Sequence, residues 1–329
     1  MADSPMPMLD MLWEADDPGV VLEERFGFED APSAGRWVTT TVSQHWGVRV
    51  DGCERITMSS HNALAWMSTP AGRLLAKWSV APARFPRLSR IAHLTHWLDG
   101  HGLPVSAPLP ASDGRLQVES YGISISLQHV VEGDLLDVED LAQVRAAGVT
   151  LARLHDTLAG YPSDHAVLSE EHREPLATRI ANWLDTVGEH VPSPGRDALR
   201  TLVTDAPRDS LPVQLLHGDF RSSNIVCTGA TVAAVLDFEE ARIDCCIDEL
   251  ARSAVMLGTR FRDWGPVSSQ VRSVFCSGYE SARRLTPVEA SWLDVLVLWY
   301  TLALMPPGDD PTGWGSSALS LLPGLAHRL

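Results

Sequence analysis

The chain has 329 residues, of which 45% are hydrophobic and 21% charged, a balance that suits a globular protein of two lobes or domains. A formal net charge of −16 excludes nucleic acid as a partner, because its phosphates would be repelled. No run reaches the roughly eighteen apolar residues of a membrane helix, and five cysteines give neither a disulfide framework nor paired zinc-ligand spacing.

Residues 1–46 read as an acidic leader, since residues 1–30 carry nine acids against Arg25 alone. It lacks the basic region and long apolar core of a signal peptide, so we expect a cytoplasmic protein with reduced thiols and no membrane contact. Helices are predicted at Met8–Trp13 and Val20–Phe26, followed by a polar strand-like piece, WVTTTVS. Cys53 to Val80 supplies three strands, with a turn at Ser59–Asn62 and another at Thr-Pro-Ala-Gly.

The third of these strands, GRLLAKWSV, holds Lys77, the only lysine of the chain. Its ammonium is a compact charge on a flexible stem and suits contact with phosphate oxygens, the alternative being a strand-end lysine that reaches solvent. Arg84–Gly100 has helical spacing, and Ala81 to Leu98 contains no Asp or Glu. Two further strands, RLQVES and ISISLQHVV, meet at Tyr121 and Gly122 and complete a five-stranded lobe over residues 47–130. The segment Gln128–Glu132 is then a connector into residues 131–329, which are mainly helical from Val138 onward. His155, in LARLHDT, reads as a structural hydrogen-bonding residue. Trp292, Trp299 and Tyr300 lie on a long helix over Pro287–Leu304 that would wall a pocket, packing being the commoner role for such aromatics.

Within the helical region one segment differs, LLHGDFRSSNIVCTGATVAAVLDFEE from Leu215 to Glu240. Asp219, Asn224 and Asp237 are set among short apolar runs that read as buried strands, so strand ends and tight loops would deliver the three side chains beside one another. Two carboxylates and an amide are hard oxygen donors, which suits a metal–nucleotide site.

The motif HGDFRSSN, followed by LDFEEA and IDELA, resembles the aminoglycoside phosphotransferase family and its relatives, the choline and type II homoserine kinases. The resemblance is specific over His217–Ala251 and looser from about Cys53 to Tyr300. It implies an α+β, bilobal protein-kinase-like fold, with a small five-stranded antiparallel lobe carrying one helix and a larger, mainly helical lobe. It also implies a kinase that moves the γ-phosphate of ATP or GTP to a hydroxyl of a small molecule, with Mg2+ as cofactor. By that resemblance Asp219 is the catalytic acid–base residue, Asn224 and Asp237 hold the metal, and Lys77 grips the α- and β-phosphates. His217 supports the loop and Asp248 braces it from a helix start.

Ser60 and Asn62 fall where such a fold covers the phosphates, although the turn has no glycine and Asn62 fits an ordinary Asx turn equally well. Backbone groups of Gln128, His129 and Val130 would read the purine edge. With no acid over Ala81–Leu98, the partner of Lys77 is unidentified from the sequence, which keeps a nucleotide-binding pseudokinase as an alternative. The acceptor is open: an antibiotic in a self-resistance role, or homoserine, choline or a sugar. From Phe238 onward eleven acids face eight arginines, so a heavily cationic acceptor gains little support.

Overall fold

The computed structural model describes residues 6–162, 174–207, 211–261 and 263–325. Two units divide the chain, Met1–Glu132 and Gly133–Leu329. The first is built on strands β1 (Met8–Met11), β2 (Gly52–Met58), β3 (Asn62–Thr69), β4 (Gly72–Ser79), β5 (Val118–Ser120) and β6 (Ile123–His129). Their order is β1-β2-β3-β4-β6-β5, with β1 parallel to β2 and every other pair antiparallel. Tyr121 and Gly122 both take positive φ (51° and 78°), the geometry a two-residue hairpin between β5 and β6 requires.

The expected leader is not separate from this sheet, and five strands become six. Helices α1 (Pro18–Phe26) and α2 (Ala31–Trp46) pack Val21, Leu22, Phe26, Ala34, Val38 and Val42 into one core with Ala65, Met67, Ala76 and Trp78. Trp78 meets Phe26 edge-on at 6.4 Å and Trp37 at 5.6 Å between ring centroids. The stretch WVTTTVS is helical, not extended. Asp30 and Ser33 form a capping box at the start of α2, Pro32 sits in its first turn, and Gly47 ends it in a left-handed conformation (φ 66°). Met8–Met11, expected to be helical, is the parallel edge strand. Helix α3 (Phe85–Gly100) completes the unit and is the one helix expected within residues 47–130, while α1 matches the helix expected at Val20–Phe26.

The second unit contains α4 (Leu141–Leu158), α5 (Leu176–Thr186), α6 (Ser193–Asp205), α7 (Cys246–Met256), α8 (Ser269–Ala282), α9 (Pro287–Ala303) and α10 (Trp314–Leu325). Five short strands are set among them: β7 (Asp134–Leu135), β8 (Val213–Leu216), β9 (Ile225–Thr228), β10 (Thr231–Val235) and β11 (Arg242–Cys245). They form two small sheets, β10-β9-β7 and β11-β8. Helices α4 and α8 approach closely because both carry glycine at the crossing: a Cβ on Gly148 would strike the Phe275 backbone, and one on Gly278 the backbone of Arg145. No described helix is long and apolar enough to cross a membrane.

Candidate active site

The two small sheets hold two loops side by side. Residues 217–224 run from β8 to β9, and residues 236–241 run from β10 to β11. The antiparallel pairing of β8 with β11, with Leu216 opposite Arg242, fixes where the first loop begins and the second ends.

His217 ties the loops together. Its Nε2–H donates to Leu236 O at 2.8 Å and its Nδ1 accepts from the Asp219 amide at 3.1 Å, so the two partners define the tautomer. The ring is fully buried against Phe238, 4.4 Å between centroids. Gly218, with φ 89°, tolerates no side chain, since a Cβ would run into the carbonyl of Glu240 and the Arg242 guanidinium. Arg242 Nη1 donates to Gly218 O at 2.9 Å, and Arg252 Nη1 donates to the same carbonyl.

Asp219 and Asn224 are brought into direct contact. The Asn224 Nδ2 group donates to Asp219 O at 2.9 Å and to Asp219 Oδ2 at 3.0 Å. Both partners are acceptors only, so the amide nitrogen must face them and Oδ1 turns the other way. Ser223 Oγ lies 3.5 Å from that oxygen. Asp219 also meets two guanidinium groups, Arg221 Nε at 2.9 Å on Oδ2 and Arg252 Nη2 at 3.4 Å on Oδ1. Arg221 in turn stacks over Trp264, 5.2 Å from the ring centroid.

Asp237 sits beside Asn224 through the backbone, because Leu236 N donates to Asn224 O at 2.8 Å. Its carboxylate is exposed and its backbone is left-handed, φ 57° and ψ 77°. Holding a non-glycine residue there costs about 1–3 kcal/mol, a strain found where a side chain must be aimed. An amide oxygen and a carboxylate are the hard-oxygen donors that a magnesium ion takes from protein, leaving its other positions to water and phosphate.

The brace of this loop differs from expectation. Asp248 does not support it: the described partners of its carboxylate are Arg179 Nη2 at 3.2 Å and Tyr300 Oη–H at 2.8 Å. Glu249 does, accepting the His217 amide on Oε2 at 3.2 Å and the Gly218 amide on Oε1. Successive helix residues point about 100° apart, so only one of the two acids at the start of α7 can face the loop. Behind Glu249, His155 Nε2 is 2.8 Å from Oε2, and Nδ1 is 2.7 Å from the Tyr279 hydroxyl.

Burial disfavours charge on both members of this pair. On His155, hydrogen bonding with Cys246 and Glu249 outweighs it and raises the imidazole from 6.5 to about 9. On Glu249, the His155 contact outweighs it and lowers the carboxyl from 4.5 to about 2. Glu249 and Arg252 were not singled out in the sequence. Their signal was an acid and a base three residues apart on an apolar helix directly after the motif.

In the first unit, Lys77 lies on β4, opposite Leu64 of β3 and Ser126 of β6. Its neighbours Ala76 and Trp78 belong to the α1–α2 core, and a strand alternates its side chains, so that of Lys77 leaves from the opposite face. Ser60 is exposed at the tip of the β2–β3 turn and Asn62 opens β3, where Ser59 N donates to Asn62 O at 2.8 Å. Gln128 and His129 are not connector but strand, paired with Leu75 and Leu74. Val130 N donates to Arg73 O at 3.2 Å, so the sheet has already taken one of the amides expected to read a purine edge.

A model of the phosphotransferase enzyme family (APH) matches residues 40–285. Homoserine kinase from Rhizobium meliloti (strain 1021) is 30% identical over 206 residues, covering 62% of this chain and 62% of that protein. The chain therefore spans less than two thirds of the length of this curated relative. Among solved structures, macrolide 2'-phosphotransferase MphH from Brachybacterium faecium superposes with a TM-score of 0.60 at 17% identity, over 89% of this chain and 94% of that one. Spectinomycin phosphotransferase APH(9)-Ia, in complex with ADP and spectinomycin, gives 0.57 at 11% identity, over 90% and 99%. At these identities the two structures speak for the fold alone.

Proposed function

This chain belongs to the phosphotransferase enzyme family, with the α+β, protein-kinase-like fold of its structural relatives, and from that premise we propose that it moves the γ-phosphoryl group of ATP or GTP to a hydroxyl of a small molecule. The observation that carries the proposal is the Asn224 side chain. Its nitrogen is committed to Asp219, while its oxygen, met by the Ser223 hydroxyl at 3.5 Å, would take a cation beside the strained Asp237.

Phosphoryl transfer needs little covalent help from protein. It needs an acceptor hydroxyl in line and neutralised phosphate charge. Asn224 Oδ1 and Asp237 would hold Mg2+, which when bound draws negative charge from the phosphate oxygens. Asp219 orients the acceptor hydroxyl and takes its proton. Arg221 and Arg252 keep the carboxylate of Asp219 in one orientation, while Glu249 and His217 fix the backbone that carries it. Lys77 serves the α- and β-phosphates as a point charge, and Ser60 and Asn62 supply polar groups from the β2–β3 turn.

For the acceptor, a small metabolite is favoured, because the relative at 30% identity is named a homoserine kinase, whereas the antibiotic phosphotransferases share fold only. Incubating the protein with Mg2+, ATP or GTP and a panel of alcohols (homoserine, choline, sugars, macrolides, aminoglycosides), then reading nucleoside diphosphate and product mass, tests this. Acceptor-dependent release with a mass gain of one phosphoryl group is expected. Nucleotide binding with no product from any acceptor would favour the pseudokinase reading.

A further inference from the structure

Among the described residues, four guanidinium groups hydrogen-bond to residues 218–222, and three of them are spent on backbone carbonyls. Arg242 and Arg252 donate to Gly218 O. Arg260, whose Nε meets Ser222 Oγ at 3.3 Å, donates from Nη2 to Leu136 O at 2.6 Å. Arg221 is the exception. Its Nε holds Asp219 Oδ2 at 2.9 Å, its flat face lies over the Trp264 ring, and its Nη1 is buried without a hydrogen-bond partner. Nη2, on the same edge of the fork as Nε, donates to no described residue, and the side chain keeps 17% of its surface open. The ring beneath is fixed in turn: Trp264 Nε1 donates to Phe261 O at 3.3 Å, and Trp264 O accepts from Trp314 Nε1 at 2.7 Å. Arg221 is therefore ordered before any ligand arrives, and unused donors beside a reacting carboxylate call for an acceptor that comes with the substrate.

Charge and distance state which acceptor. One carboxylate, Asp219, faces the two guanidinium groups of Arg221 and Arg252, so positive charge is in excess where phosphate oxygens would arrive. An acceptor hydroxyl that gives its proton to Asp219 comes within about 3 Å of the carboxylate, and the phosphorus it attacks lies about 3–3.5 Å beyond. The terminal nitrogens of a guanidinium whose Nε is already on that carboxylate occupy the same shell. Lone pairs settle the rest. Asp219 Oδ2 accepts from both Arg221 and Asn224 and is filled, whereas Oδ1 meets Arg252 Nη2 alone among the described residues, at 3.4 Å.

Resting on the phosphotransfer reading, we infer that Arg221, beyond holding Asp219, is a catalytic residue whose terminal nitrogens donate to the phosphoryl group in transfer. The bond from the acceptor oxygen to phosphorus forms as the bond from phosphorus to the bridging oxygen breaks. The nucleoside diphosphate leaves with that electron pair, and the hydroxyl proton passes to Asp219 Oδ1. Arg221 stays protonated throughout and meets the charge that spreads over the three equatorial oxygens. Trp264 keeps its plane in place while this happens.

Calorimetric binding of Mg–ADP and Mg–GDP to the full chain, with and without fluoroaluminate, tests this without an identified alcohol. Fluoroaluminate is an anionic stand-in for the phosphoryl group between donor and acceptor, and it should tighten diphosphate binding to the wild type. Arg221→Ala should lose that gain by roughly tenfold or more while its affinity for the Mg–diphosphate alone stays within about twofold. Arg221→Lys, which keeps the charge without the fork, should fall between the two, and it carries the test if circular dichroism shows the alanine variant unfolded. Asp219→Asn separates contact from mere positioning: it should keep the fluoroaluminate gain, because the Arg221 donors remain. A gain lost equally in Asp219→Asn means that Arg221 acts only by holding Asp219, and a gain kept in the Arg221 variants, or absent from the wild type, likewise overturns the inference while diphosphate binding leaves phosphotransfer standing. Binding of neither diphosphate would bring down the phosphotransfer reading itself, and this inference with it.

Discussion

Glu249 is the residue on which the geometry of the loop turns, because one buried carboxylate holds two successive amides ahead of Asp219 and is itself held by His155. The signs of the two shifts give a pH dependence of stability. His155 is raised to about 9, so its contribution is complete below pH 6.5 and is lost as pH climbs through about 9. Glu249 is lowered to about 2, so its contribution is complete above pH 4.5 and is lost as pH falls through about 2. Thermal unfolding followed from pH 6 to 10 should therefore show a decline over the alkaline half. In Glu249→Gln that decline should flatten, with a loss of about 3–5 kcal/mol at neutral pH from breaking a buried pair; an unchanged alkaline decline in the variant would separate His155 from Glu249. The motif made Asp219, Asn224, Asp237 and His217 legible, since each stands at a fixed interval among strand-like runs. It could not rank Asp248 against Glu249, because adjacent acids at a helix start differ only in azimuth, and azimuth is set by how α7 packs.

At the scale of elements, the tightest constraint is the α4–α8 crossing, where two glycines bring backbones together. Gly148→Ala should destabilise the second unit by about 1–3 kcal/mol, the usual effect of overpacking, although alanine is the better helix former. A melting temperature equal to or above that of wild type would show that the helices can part at no cost. Helices of the second unit were readable from their spacing, though α10 was not foreseen: Pro287–Leu304, for example, is α9 to within one residue. Besides Gln128 and His129, which are strand and not connector, the errors of element lay in the first 46 residues. There Thr39, Thr40 and Thr41 suggested extended chain, while the decisive signals were the Asp30–Ser33 box and the stripe Ala31, Ala34, Val38, Val42. Local propensity gave way to caps and to a face that had a sheet to cover. The β1 strand was illegible for a different reason, since four residues of Met, Leu and Asp have no period of their own and become strand by pairing with β2.

For the whole molecule, the acidic N-terminal segment is part of the first unit's core despite its charge. Deleting residues 1–46 removes Phe26, Val38 and Val42 from the cluster around Trp78 and frees the edge of β2. The truncated chain should be insoluble or unfolded in its first unit, as read by far-ultraviolet circular dichroism and proteolysis; a soluble, cooperative truncation would return the segment to the status of an appendage. Above this stands the claim that one loop carries phosphoryl transfer. The most direct test is to compare the wild type with Asp219→Ala at saturating Mg–nucleotide and an accepted alcohol, measuring transfer and nucleotide affinity together. The account predicts that transfer falls by a factor on the order of 10²–10⁴ while Mg–nucleotide affinity is kept, and transfer near the wild-type rate in Asp219→Ala would contradict it.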